Sequence, residues 1–152
     1  MANVEYFLKI DGIPGESDDT RHPGEIAVAG WSFGESETGA APGGASAGKV
    51  KFRDFHFGAA VSKASPRLIE ACAEGRHIPS AVLTCRKSGG FQAEFLVLKF
   101  SDVTISSYGT GAAAASEAPP ADRVSLSFAK VEVDYTEQKP DGSTAPPIQV
   151  TV

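Results

Sequence analysis

Few residues of this sequence are of a type that carries chemistry. Its three histidines fall one each in a loop (His22), a strand (His56) and a turn after a helix (His77), and none has a second ligand two or four residues on, as a metal pair requires. Asp11, Glu16, Asp18 and Asp19 gather carboxylates early in the chain, as calcium would need. The calcium-loop order, with its glycine at the sixth and glutamate at the twelfth position, is absent, so this reads as a solvated turn. Asp54, between Arg53 and the Phe55/Phe57 pair, reads as a salt-bridged residue at a bulge rather than a buried acid. Trp31 has the ring for sugar stacking, but a lone aromatic at strand spacing is usually core or interface. Nucleophile elbows, phosphate loops, HExxH and paired CxxC motifs are all missing, so neither an enzyme nor a metal or cofactor is expected.

The elements that must position these residues are mostly strands. Val4, Tyr6, Leu8 and Ile10 alternate with polar residues as in a half-buried strand, with Phe7 off the pattern. Residues 26–33 read as one strand, with Ile26, Val28, Gly30 and Ser32 on one face and Trp31 and Phe33 on the other. The parity of apolar residues changes at Arg53-Asp54 and again at Ala129-Lys130, the mark of a bulge or of a strand passing between sheets. Residues 91–100 are apolar on both faces, which places them centrally. One helix is expected over 65–75, with Ser65 as N-cap, Pro66 in the first turn, Leu68, Ile69 and Cys72 as the docked stripe and Gly75 closing it. The fold expected is a mainly β, antiparallel barrel or sandwich of two sheets with one short helix packed on its side, a single domain over 1–152.

Two stretches lack the side chains to order themselves, 34–49 and 109–122, and both read as long flexible loops. In the first, Glu35, Glu37 and Lys49 are the only large side chains among glycine, alanine and serine.

A net charge of −5, with 14 basic and 19 acidic residues and no dense basic run, argues against nucleic acid or an anionic membrane as main partner. No apolar run is long enough for membrane insertion, and the N-terminal residues show no secretory signal. The two cysteines, Cys72 and Cys85, are too few for a disulfide framework and read as small buried thiols.

Several stretches together resemble the haemolysin-coregulated protein (Hcp) family of bacterial type VI secretion. They are the run at 6–17, His22 with Gly24-Glu25-Ile26, Trp31-Ser32-Phe33-Gly34, Gly48-Lys49-Val50, Asp54, the helix at 65–77, residues 81–90, the run at 125–135, then Gln138-Lys139 and Asp141-Gly142-Ser143. Phe33 replaces a second tryptophan of the family pattern, and 112–123 is richer in alanine and proline.

The resemblance implies a tube subunit: a homohexameric ring, stacked into a hollow tube that a contractile sheath drives outward. A spike caps that tube, and effector proteins ride in its lumen. It also implies a protein that is cytoplasmic before firing and then leaves the cell without a signal peptide. Strand alternation makes Gly30 and Ser32 the residues expected at the lumen. The loop residues Gly34, Glu35, Ser36, Glu37, Thr38, Gly39, Gly43, Gly44 and Lys49 are expected to stack rings. The other reading is a β-sandwich binding module, for instance for carbohydrate, and a third is a small hydrolase using His56 or Asp54.

Overall fold

The computed structural model describes residues 4–38, 49–52, 54–88, 93–112, 114 and 119–152, with 35–38 and 49–52 described by their backbone. Strands β1 (Val4–Ile10), β2 (Ile26–Val28), β3 (Gly30–Ser32), β4 (Glu35–Thr38), β5 (Lys49–Phe52) and β6 (Phe55–Ala60) precede helix α1 (Ala64–Glu74). Strands β7 (Ile78–Lys87), β8 (Glu94–Gly111), β9 (Ala121–Ser127), β10 (Lys130–Tyr135) and β11 (Ile148–Thr151) follow it. All pairings are antiparallel, in the order β2-β1-β7-β8-β9-β6-β3, with β10 and β11 branching from β8.

The 18-residue β8 belongs to both halves of this sheet. Its first part, up to Val103, pairs with β7 and β10, and from Thr104 onward it pairs with β9. Between them the chain must turn. Asp102 takes the left-handed conformation at φ 54°, which a short polar side chain tolerates better than a branched one, and the register shifts between Ile105 and Ser107. Among the described strands the ladder does not close by pairing, but its end strands β2 and β3 are consecutive in the chain. Ala29 joins them and donates its N–H to Gly58 at 2.8 Å. This corrects the single strand expected over 26–33: the chain changes sheets at Ala29. The parity change at 129–130 also marks a crossing, because β9 pairs with β6 while β10 pairs with the other half of β8.

Leu8, Phe55, Leu83, Cys85, Phe100 and Leu126 are fully buried between the two halves. Aromatic rings run through this core, with Phe100 4.8 Å from both Phe55 and Phe128, and Trp31 6.1 Å from Phe55. Trp31 is therefore a core-packing ring rather than a free platform. Burial pushes the Cys85 thiol up to about 11, so it stays protonated and unreactive. Cys72 is half-buried.

Phe7, the residue off the β1 pattern, is buried on the opposite face of the sheet. His22 stacks on its ring at 4.6 Å, and the Arg86 guanidinium lies 4.8 Å from its centroid. The loop expected to be a solvated acidic turn supplies the cover. Asp19 accepts from Arg86 at 2.6 and 3.0 Å, and Glu5 accepts from it at 2.9 Å. His22 reaches Glu25 at 2.9 Å and Glu94 at 3.0 Å. Arg86, though charged, is only 2% exposed. Asp54 accepts from Ser106 and Ser127 at 2.7 and 3.2 Å, so hydroxyls serve it.

Helix α1 begins one residue earlier than expected, and Ser65 is not its N-cap. Ser65 Oγ accepts from the Ser62 N–H and donates to the buried Asp122, which also accepts from Tyr108 at 2.6 Å. Glu16 supplies the helix N-terminus from outside, accepting the Lys63 N–H at 2.6 Å. Gly75 closes the helix at φ 62°, as its sequence position implies. The docked stripe is Ala64, Ser65, Leu68 and Ala71, with Cys72 beside it, and Ile69 is corrected to an exposed position at 47%. Ile69 lies about 100° around the helix from Leu68, so both cannot face one flat sheet.

The two flexible stretches shrink. Glu35–Thr38 and Lys49–Phe52 pair as a separate ribbon, with Glu37 opposite Val50. Residues 109–111 and 121–123 pair with each other in the main sheet. Small side chains do not bar either segment from strand pairing, because the ladder is made of backbone groups.

Two outcomes are expected. Leu68→Ala should cost about 2–5 kcal/mol of unfolding free energy, whereas Ile69→Ala should stay within about 0.5 kcal/mol, both measured by denaturant titration. Arg86, with help from backbone N–H groups, holds the Asp19 carboxyl well below the usual carboxylate range. Its stabilisation is complete above the unfolded aspartate value of about 3.9 and is lost as pH falls below it. In an acid titration, Asp19→Asn should start less stable at neutral pH and approach the parent below about pH 3.

Candidate functional site

Every second residue of β3, β6, β9 and the end of β8 points away from the core, and antiparallel register lines these residues up in rows. Ser32 pairs with His56, His56 with Ser125, and Ser125 with Ser107. The next row is Gly30, Gly58, Arg123 and Gly109, followed by Ala60, Ala121 and Gly111. Val124 and Leu126, between these positions in β9, are core residues at 2% and 0% exposure, while Ser125, at 9%, sits low in the groove and Arg123 is exposed, which fixes the direction of the alternation. The result is a broad wall of small and polar side chains over an open groove of about 450 Å³, to which Trp31, Phe57 and Val124 also contribute.

The glycines of this wall answer to nothing inside the chain. A Cβ added at Gly30, Gly109 or Gly111 meets no atom within 4 Å, and at Gly58 it meets only the Asp122 carbonyl, at an ordinary 3.6 Å. Positive φ occurs at Gly12, Gly24, Gly75 and Gly142, and at none of the wall glycines. A glycine inside a strand costs stability relative to alanine, by about 0.5–1 kcal/mol. What these positions supply is a surface without side chains.

Polar groups are few. His56 Nδ1 lies 2.6 Å from Ser125 Oγ, and Ser32 and Ser107 are exposed. Among the described residues, Arg123 is the only arginine, lysine or carboxylate lining the groove. Asp54, two residues before His56, accepts from Ser106 and Ser127, and no described hydrogen bond joins it to His56, so the His56–Ser125 pair lacks the carboxylate contact that a triad requires. Among the described residues, no cluster of three metal-ligating side chains occurs.

Of the residues singled out by sequence, Gly30 and Ser32 both fall on this wall. Glu35, Ser36, Glu37, Thr38 and Lys49 fall in the β4–β5 ribbon, just after Gly34, while Gly39, Gly43 and Gly44 lie outside the described residues. Ribbon and wall are separate features: β4 and β5 pair only with each other among the described strands. The sequence singled out His56 only as a hydrolase candidate, and Gly58, Ser107, Gly109, Arg123 and Ser125 not at all as site residues. The signal was available in β9, where Arg123 and Ser125 alternate with Val124 and Leu126. It carried no meaning until β6 and β8 were known to flank it.

A model of the family described as type VI secretion system effector, Hcp, matches residues 7–135. The chain is 42% identical over 143 residues to Protein hcp1 of Pseudomonas aeruginosa, covering 92% of this chain and 88% of that protein. The crystal structure of Hcp1 from Salmonella typhimurium superposes with a TM-score of 0.82 at 33% identity, covering 99% of this chain and 94% of that one. That of a type VI secretion system effector from Yersinia pestis does so with a TM-score of 0.79 at 31% identity, covering 97% and 98%.

One expectation isolates the wall from the fold. Gly109→Ala should leave unfolding free energy unchanged or raise it by up to about 1 kcal/mol, because backbone and space both admit a methyl group. A clear loss in a thermal melt would show that the glycine serves the subunit itself.

Proposed function

We propose, from the premise that this chain belongs to the Hcp family of type VI secretion system proteins, that it is a non-enzymatic tube subunit which closes into homohexameric rings. The rings stack into a hollow tube, the open face of β3, β6, β9 and β8 lines its lumen, and effector proteins travel against that face. A contractile sheath surrounds the tube, a spike caps it, and the protein leaves the cell by this route. The observation that carries this reading is the wall of glycines that the subunit does not need. A surface past which cargo slides requires flatness and small polar groups, and a monomer gains nothing from them.

Other features support assembly. A head-to-tail ring needs two different patches on each subunit. Strand β11 pairs only with β10 among the described strands and leaves Ile148, Val150 and Val152 exposed beside the exposed Tyr135. An apolar strand with a free edge invites another chain. The β4–β5 ribbon stands apart from the main sheet and suits contacts between stacked rings.

Native mass spectrometry at tens of micromolar should give six times the chain mass, and a monomer would overturn the ring. Joining Thr38 to Lys49 by a two-residue turn keeps the ribbon's pairing while removing 39–48. That variant should retain the hexamer but fail to grow tubes, as seen by electron microscopy. Normal tube growth would remove the stacking role.

A further inference from the structure

Arg123 stands in an unusual setting. On β6 its register partner is Gly58, and on β8 its partner is Gly109, with Gly30 beyond Gly58 on β3. A long cationic side chain in a sheet normally lies against the side chains of its cross-strand neighbours. Here both neighbours are glycine. The side chain is exposed, and among the described residues no carboxylate is paired with it. Arg76 and Arg86 are each held by two carboxylates, whereas Arg21, Arg67 and Arg123 have no ion pair among the described residues, and of these three Arg123 is the one flanked by glycines within a sheet. Among the described residues, those lining the groove include no acid, and Asp54, farther along the same face, is engaged by the Ser106 and Ser127 hydroxyls.

We propose that this open face recognises an acidic, extended segment of a partner protein. A carboxylate of that segment is received by Arg123 in the glycine lane, and its backbone is held by Ser32 and Ser107 in the neighbouring row. The guanidinium fork matches a carboxylate with two parallel N–H donors, and flanking glycines leave both of its edges open to approach. One cation per subunit is too sparse for nucleic acid, whose affinity grows with the number of phosphates neutralised. The inference deepens the tube reading and rests on it for the identity of the partner as cargo; binding itself is a property of the face.

The test is fluorescence anisotropy with a short labelled peptide of alternating glutamate and serine, a matching lysine and serine peptide, and a single-stranded oligonucleotide of the same charge. Native mass is recorded on every variant. The acidic peptide should bind the parent protein, lose affinity by about tenfold or more in Arg123→Gln, and recover in part in Arg123→Lys, because one charged hydrogen-bonded contact is removed. Lys9→Gln with Arg67→Gln, in the separate groove near Gly12, should bind as the parent does. No binding of the acidic peptide, equal affinity in Arg123→Gln, equal binding of the lysine peptide, or tighter binding of the oligonucleotide would each overturn the proposal. A monomer that still binds the acidic peptide through Arg123 would sink the ring while leaving this recognition intact.

Discussion

Everything in this fold depends on one strand satisfying two sheets. The backbone groups of β8 find β7 and β10 on its two edges over residues 96–101 and β9 from Thr104 onward, and no single flat sheet supplies all three partners. The solution is a sharp turn of the strand at Asp102 and a slipped register just beyond it. Asp102 is also where the helix side of the molecule is tied in, since His77, just past the end of α1, lies 3.0 Å from its carboxylate. From that turn follow the aromatic core between the halves, the position of β10 beside one half, and the open face of the other.

A second constraint acts on the outside. Burying Arg86 is costly unless its charge is met, and a charge left alone in such a place is strongly destabilising. Asp19 and Glu5 meet it, and the loop that brings Asp19 also brings His22 onto Phe7 and Glu16 to the helix N-terminus. One loop thus fastens β1, β7, β8 and α1 together. The wall on the far sheet needs none of this, so substitution on that face need not disturb the scaffold.

Much of the fold was legible from alternation alone. The β1 pattern, the central place of 94–100 and the sheet change near Ala129 all follow from which residues are apolar and at what spacing. The failures are local and have physical reasons. Gly30 and Ser32 continue the spacing of Ile26 and Val28, so nothing in the pattern betrays the sheet change at Ala29. Ile69 is as apolar as Leu68, and only the flatness of the surface beneath the helix decides between them. Val50 and Phe52 mark a strand start by alternation, but the β4 half of the ribbon was invisible because Glu35-Ser36-Glu37-Thr38 contains no apolar residue. Arg123 and its glycine neighbours come from three distant segments, and strand order, which no single segment states, is what makes them a site.

The long reach of β1 has a consequence for how the protein is made. Val4 pairs with Lys87 and Ile10 with Ala81, so the strand emerges from the ribosome far ahead of its partner β7. At about 5–20 residues per second, the interval is on the order of 4–16 seconds. Throughout that time Tyr6, Leu8 and Ile10 have only the three-residue β2 to lie beside. The nascent chain therefore carries an unfinished sheet edge through much of its synthesis. Non-local pairing of this kind is slow to form and exposed to aggregation, so a translation rate or a chaperone that bridges the interval governs yield as much as the stability of the finished fold.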